Sequence, residues 1–466
     1  MKLRWLKAYW SFRDALLPRN SRPRRLYEIL LNSLRVLYTE GPGGVWWRIR
    51  DHWLGQADSI SPEDSVKNPE IPVRSAESRP GWIAADRPST ASTGATDGPD
   101  ASFVPFADTG FSAADGPVKL IAFYLPQFHP IPENDRWWGK GFTDWVNVSR
   151  AAPQFVGHYQ PHVPGDLGFY DLRRPAVQRR QVELAKQYGV SGFCFHYYWF
   201  NGLRLLERPV EQFLSDPEID LPFCLCWANE NWTRRWDGRE RDILIAQEHS
   251  EGSDLAFIRD LEPILRHRNY IRISGRPLLI VYRMQILPRP AATTRCWRDY
   301  CRAAGLGNPY LVAAQTFGCT DPREFDFDAA VEFPPHNCIV PDITRQVSLL
   351  NPDFAGRIHR YADAARTMAN RTKPDYPLFK CVFPGWDNEP RRRGRGVVFA
   401  YSNPEEYESW LAGACRHALG DPLPEKRLVF INAWNEWAEG AYLEPDRKFG
   451  YAYLEATRNA LLSIRS

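Results

Sequence analysis

The sequence predicts an α/β protein, a (β/α)8 TIM-type barrel preceded by a basic helical arm and a disordered linker. Three observations carry that prediction. Short runs of branched and aromatic residues alternate with longer amphipathic segments, eight such runs follow residue 118, and polar residues gather just past the C-terminal end of each run. Alternating strand and helix signals imply a parallel sheet, whose strands are buried on both faces and therefore read as unbroken apolar runs. Eight units in about 350 residues suit a closed barrel, which carries its chemistry at the C-terminal mouth of the strands.

Residues 1–54 form the arm, with Lys2, Arg4, Lys7, Arg13, Arg19, Arg22, Arg24 and Arg25 against few acids. Leu26, Ile29, Leu30, Leu34 and Leu37 recur at helical spacing, with Trp46, Trp47 and Trp53 nearby. Such a basic amphipathic helix suits an anionic membrane surface, and it equally suits docking on the main domain. Residues 55–117 are rich in Ser, Pro and Gly and poor in apolar residues, which predicts a disordered linker.

Residues 118–466 carry the barrel. Its strand-like runs are Leu120–Leu125, Gly192–Tyr197, Pro222–Ala228, Pro277–Tyr282, Tyr310–Gln315, Asp328–Phe333, Leu378–Phe383 and Leu428–Ala433. Between them Pro175–Tyr188 and Pro404–Leu419 read as helices.

A net charge of +3 is too mild to make nucleic acid the main partner. The N-terminus lacks the continuous apolar core of a signal peptide, and no stretch reaches the 18 apolar residues that suggest a membrane span. Nine cysteines without CxxC spacing read as free thiols of a reducing compartment, so the expected location is cytoplasmic, with the arm as a peripheral contact at the inner membrane face. No phosphate-cradling glycine motif follows a strand, and neither a cofactor nor a metal is expected.

Aromatic residues make up 14% of the chain, and many of its 18 Trp lie beside Asn, Glu and Asp. A sugar ring has apolar faces and hydroxyl edges, which Trp and amides match together. The strongest motif runs from Phe430 to Pro445, where an apolar strand leads directly into Trp434-Asn435-Glu436-Trp437-Ala438-Glu439-Gly440. Glycosidic chemistry requires an acid for the leaving oxygen and a second carboxylate, and Trp434 and Trp437 would separate the two pKa values by lowering the local dielectric. Two Glu three apart at a helix start would also favour the helix dipole.

A second cluster, Trp227-Ala228-Asn229-Glu230-Asn231-Trp232, follows the third strand and suits hydroxyl recognition, although an Asn there also suits a helix cap. The segment Tyr124-Leu125-Pro126-Gln127-Phe128-His129, continued by Trp137, Asp144 and Trp145, predicts a long loop over the site. The second strand delivers His196 and Tyr198 on the opposite face from their neighbours and ends at Trp199. Asp326-Phe327-Asp328 matches a short metal-holding pattern of nucleotide-sugar transferases, but it leads into a strand instead of leaving one.

Together, Ala122–His129, Gly141–Trp145, Trp227–Glu230 and Trp434–Gly440 through Glu444-Pro445 resemble the WbsX-type proteins of bacterial surface-polysaccharide loci, over about Val118 to Ala456. Those proteins are in turn similar to glycoside hydrolase family 99, the endo-α-mannosidases and mannanases. The resemblance implies a (β/α)8 barrel in which Glu436 deprotonates a sugar 2-hydroxyl and Glu439 serves as acid and then base, through a 1,2-anhydro sugar. Tyr124, Gln127, His129, Trp137, Trp145, His196, Tyr198, Trp199, Trp227, Asn229, Glu230, Trp232, Trp434, Asn435, Trp437 and Tyr442 are the expected substrate-binding residues. The family has His where this chain has Ala438. The implied function is transfer or cleavage of an α-linked, mannose-like glycan, lipid-linked or free, in O-antigen or lipopolysaccharide biosynthesis. A plain endo-α-glycosidase and a noncatalytic glycan-binding scaffold are the alternatives.

Overall fold

The eight apolar runs become eight parallel strands in a computed structural model, which describes residues 102–465 apart from 109, 112–115 and 235–238. They are β1 (Lys119–Tyr124), β2 (Val190–Phe200), β3 (Phe223–Trp227), β4 (Arg276–Val281), β5 (Tyr310–Gln315), β6 (Ala329–Glu332), β7 (Leu378–Val382) and β8 (Leu428–Ile431). Each pairs with the next in sequence, and β1 pairs with both β2 and β8, so the sheet closes. At the seam Ala122 faces Ile431 on one side and Phe193 on the other.

Seven helices surround the barrel: α1 (Pro175–Gln187), α2 (Arg208–Ser215), α3 (Glu251–Leu265), α4 (Pro290–Ala303), α5 (Tyr361–Ala369), α6 (Pro404–Leu419) and α7 (Ala452–Leu462). The helix expected between β5 and β6 is instead a single 3-10 turn, Pro322–Phe325, because the connection is short and Pro322 and Asp326 bound it. Asp326 has φ 61°, a left-handed conformation that stops a helix. Elsewhere helix starts follow the local chemistry. Asn403 accepts from the Glu406 amide ahead of Pro404, and Ser250 and Ser253 cap one another reciprocally.

The arm, residues 1–54, and most of the linker lie outside the described residues. From residue 102 the expected linker is packed on the barrel: Val104 donates to the Phe449 carbonyl at 3.1 Å and accepts from the Tyr451 amide at 2.8 Å. Val104 and Phe111 pack against the barrel core there.

Three long connections enclose the mouth. The one after β1 carries two short helices, Pro132–Trp138 and Trp145–Ser149. Those after β6 and β7 meet in a small sheet, in which Arg357–Arg360 pairs in parallel with Val397–Ala400, itself antiparallel to Trp386–Asp387. No described helix is long and apolar enough to cross a membrane.

Candidate active site

Beyond β8 the chain turns back on itself. Asn435–Glu436 pairs antiparallel with Ala441–Tyr442 around the 3-10 turn Trp437–Glu439. In 3-10 geometry positions i and i+3 eclipse, which brings Glu436 and Glu439 to one side of the hairpin. Asn435 fastens the hairpin to β1 by accepting from the Leu125 amide at 2.7 Å and donating to the Leu125 carbonyl at 3.0 Å. From behind, the buried Glu444 carboxylate accepts from Trp437 Nε1 and Gln181 Nε2 at 2.6 Å and from the Tyr170 hydroxyl at 2.9 Å.

Both carboxylates open into a cavity of about 600 Å³ at the barrel mouth. Arg391, from the connection after β7, sits between them, donating from Nη2 to Glu436 at 2.9 Å and from Nη1 to Glu439 at 2.5 Å. It also donates to Asp144 Oδ2 from Nη2 at 2.5 Å, and Asp144 is held by Asn147 Nδ2 at 2.9 Å. Three carboxylates thus share one guanidinium. Burial opposes the charge on Arg391, but the carboxylates, Asp144 foremost, hold its pKa well above the ordinary value. Burial pushes Glu436 up to about 8 against the pull of Arg391, and Glu439 and Asp144 push it further in the same direction. A buried cluster with more negative charge than its one guanidinium can balance retains a proton.

His196 Nε2 lies 3.9 Å from Glu436 Oε1, and burial, with Arg391 nearby, pushes its pKa down to about 4. At neutral pH it is therefore an uncharged ring beside Glu436 and not an ion-pair partner. Gln127, Tyr198, Glu230, Asn231, Trp232, Tyr282 and His336 complete the wall on the β1 to β6 side. Glu230 is paired with Arg283 at 2.7 Å.

The family model described as Glycosyltransferase WbsX matches residues 120–457. The chain belongs to the WbsX glycosyltransferase family, a family of carbohydrate-active enzymes. It is 55% identical over 345 residues to uncharacterized protein WxcX of Xanthomonas campestris pv. campestris strain B100, covering 74% of this chain and 50% of that protein. The same figures hold for WxcX of strain ATCC 33913, so the WbsX chain spans half the length of the curated relatives it matches. Among solved structures, a glycoside hydrolase-like protein aligns with a TM-score of 0.48 at 15% identity over 78% of this chain and 97% of that one. The GH99 endo-alpha-mannosidase from Bacteroides thetaiotaomicron aligns with 0.44 at 14% over 74% and 97%. At such scores neither likeness bears on chemistry.

In this WbsX barrel, the residues expected at the site divide into two groups. Glu436, Glu439, Gln127, His196, Tyr198, Glu230 and Trp232 line the cavity. Tyr124 points outward and donates to Gln181 at 2.7 Å, and Trp199 and Trp227 pack outside the barrel against Phe257. Trp145 donates to the Tyr170 carbonyl, Trp434 packs on Phe193, and Trp437 stacks on Tyr442 with centroids 3.8 Å apart. Asn229 bonds the Arg283 backbone through both side-chain atoms at 2.9 Å. His129 is buried away from the cavity, and Trp137 stands edge-on to Trp232 at 5.9 Å. Tyr442 faces a second cavity of about 130 Å³ beyond Gly440. These residues hold the fold around the mouth and do not line it.

Asp326 and Asp328 both pair with Arg298, and Asp328 also pairs with Arg276 at 2.6 Å, so these acids are held in structural ion pairs. Sequence reasoning gave no role to Arg391 or Asp144. The signal for the arginine was Arg391-Arg392-Arg393-Gly394-Arg395, a basic run just past the seventh strand.

Proposed function

We propose that the chain is a retaining carbohydrate-active enzyme that acts on an α-linked, mannose-like glycan in the assembly of O-antigen or a related bacterial surface polysaccharide, with a lipid-linked substrate at the inner membrane face. The observation that supports it is the convergence of Glu436, Glu439 and Asp144 on Arg391 at the barrel mouth. Glu436, as carboxylate, takes the proton of the sugar 2-hydroxyl. That oxygen closes on the anomeric carbon while the bond to the leaving oxygen breaks, and Glu439 gives its proton to the leaving oxygen. Glu439 then takes a proton from an acceptor hydroxyl, whose oxygen attacks the anomeric carbon. The strained ring bond breaks, and the 2-oxygen recovers its proton from Glu436. Two inversions leave the anomeric configuration unchanged. A sugar as acceptor makes the chain a transferase, and water makes it an endo-α-glycosidase.

The test incubates the chain and its Glu439→Gln variant with lipid-linked oligosaccharide from the host, with and without nucleotide sugars, and weighs the products by mass spectrometry. Shortening or rearrangement without a nucleotide sugar is expected, reduced by about 10²- to 10⁴-fold in the variant. Elongation only when a nucleotide sugar is present would overturn the scheme.

A further inference from the structure

Several polar side chains around the large cavity are engaged by the protein itself. Arg391 is shared among carboxylates, Glu230 is paired with Arg283, Asn231 accepts from the Gln247 amide at 2.7 Å, and Asn432 donates to the Pro334 carbonyl at 2.8 Å. Gln127 differs. It lines the cavity just beyond β1 with only 4% of its surface exposed, yet its side chain makes no hydrogen bond among the described residues. An amide withdrawn from water without a partner costs about 1–3 kcal/mol, so its place on a cavity wall calls for a ligand.

The segment that carries it is fixed at both ends. Leu125 is clamped to Asn435 through its amide and carbonyl, at 2.7 and 3.0 Å, and the Phe128 carbonyl accepts from the Leu172 amide at 3.0 Å. Phe128 is buried against Trp145 and Tyr170, with ring centroids 4.4 and 5.3 Å away, and the Pro126 ring restricts the backbone between. A side chain buried on so rigid a segment has little rotamer entropy left to lose to a ligand. Because Asn435 directly precedes Glu436, the same clamp ties Gln127 to the carboxylate hairpin. The adjacent strand extends this wall: His196 and Tyr198 of β2 line the cavity and also make no side-chain hydrogen bond among the described residues, and the Tyr198 ring stands edge-on to Trp232 at 5.3 Å.

We propose that Gln127 is a specificity-determining residue that binds two neighbouring hydroxyls of the glycan, a vicinal diol, against the β1 and β2 wall. The proposal rests on the catalytic reading of the same cavity and names the part of the substrate that this wall takes. A side-chain amide offers a carbonyl acceptor and an N–H donor side by side. Adjacent ring hydroxyls answer both, one donating and the other accepting. A carboxylate or phosphate on the sugar offers acceptors only, and it would share the cavity with Glu436 and Glu439.

The test titrates the Glu439→Gln chain, with and without Gln127→Met, with oligosaccharide released from the host lipid carrier and with α-linked mannotriose and its 3-deoxy and 4-deoxy counterparts. Gln127→Met should weaken binding of the host oligosaccharide at least about tenfold. The chain that keeps Gln127 should prefer mannotriose to at least one deoxy counterpart by a similar factor, and the methionine variant should lose that preference, the non-additivity that marks a direct contact. Thermal unfolding separates this from a structural role, because an apolar side chain of the same length in place of an unmet amide should leave Tm unchanged or raise it. Gln127→Leu repeats the comparison if the methionine variant fails to fold. Equal binding of the host oligosaccharide by the variant, a deoxy preference that survives Gln127→Met, or a lowered Tm in both variants would overturn the proposal. Turnover of the host glycan that is indifferent to Gln127→Met would sink this inference alone, and binding that depends on Gln127 without turnover by the unmodified chain would sink the catalytic reading alone.

Discussion

The role proposed for Glu436 asks it to release a proton that burial favours keeping. A carboxylate whose conjugate acid sits near 8 is a stronger base toward a hydroxyl than an ordinary one, provided the pH lets it ionise. As base, Glu436 makes kcat/KM rise with pH on a limb near 8, and a profile that falls through that region would exchange the roles of Glu436 and Glu439. Arg391→Met removes the cation that holds Glu436 down, so the limb should move to higher pH, while Arg391→Lys restores part of its position. The methionine variant also leaves Asp144 buried without its cation, at roughly 3–5 kcal/mol measured by urea unfolding.

The hairpin Asn435–Tyr442 depends on Gly440, with φ 60° and a backbone so near Asp387 that a Cβ would sit 2.9 Å from the Asp387 amide nitrogen. Gly440→Ala therefore costs about 1–2 kcal/mol in left-handed strain and forces the hairpin outward. The expected result is a fall in kcat larger than the change in KM, because Glu439 precedes the glycine directly, and steady-state kinetics on one glycan would measure it. All eight strands and the carboxylate segment were legible in the sequence, because a strand buried on both faces is an unbroken apolar run and the two Glu are neighbours. The aromatics were over-read. Strand period of two puts His196 and Tyr198 inward and therefore Tyr197 and Trp199 outward, and the same alternation sends Tyr124 and Trp227 toward the helices. Arg391 was not legible as a partner, because it lies 45 residues before Glu436 and is brought to it only by adjacency of β7 and β8.

At the scale of the whole barrel, Glu389 and Glu444 join Glu436 in having raised pKa values through burial, the first two to about 7. A carboxylate raised on folding contributes stability that is fully present below its unfolded value and lost as pH rises through the folded one. Thermal stability should therefore decline from about pH 5 to pH 8, by on the order of a few kcal/mol, and Glu436→Gln should flatten part of that slope in calorimetry. Burial alone would raise Asp387, but bonds from His158 and His162 hold it well below the ordinary carboxylate range, so stability also falls on acidification below about pH 4. The seam where β8 meets β1 has a consequence in time. A ribosome delivers Asp144 before Glu436, and the centre exists only once β8 has zipped against β1. A nascent chain, or a proteolytic fragment lacking either seam strand, holds half a site and cannot cut or join the glycan around it.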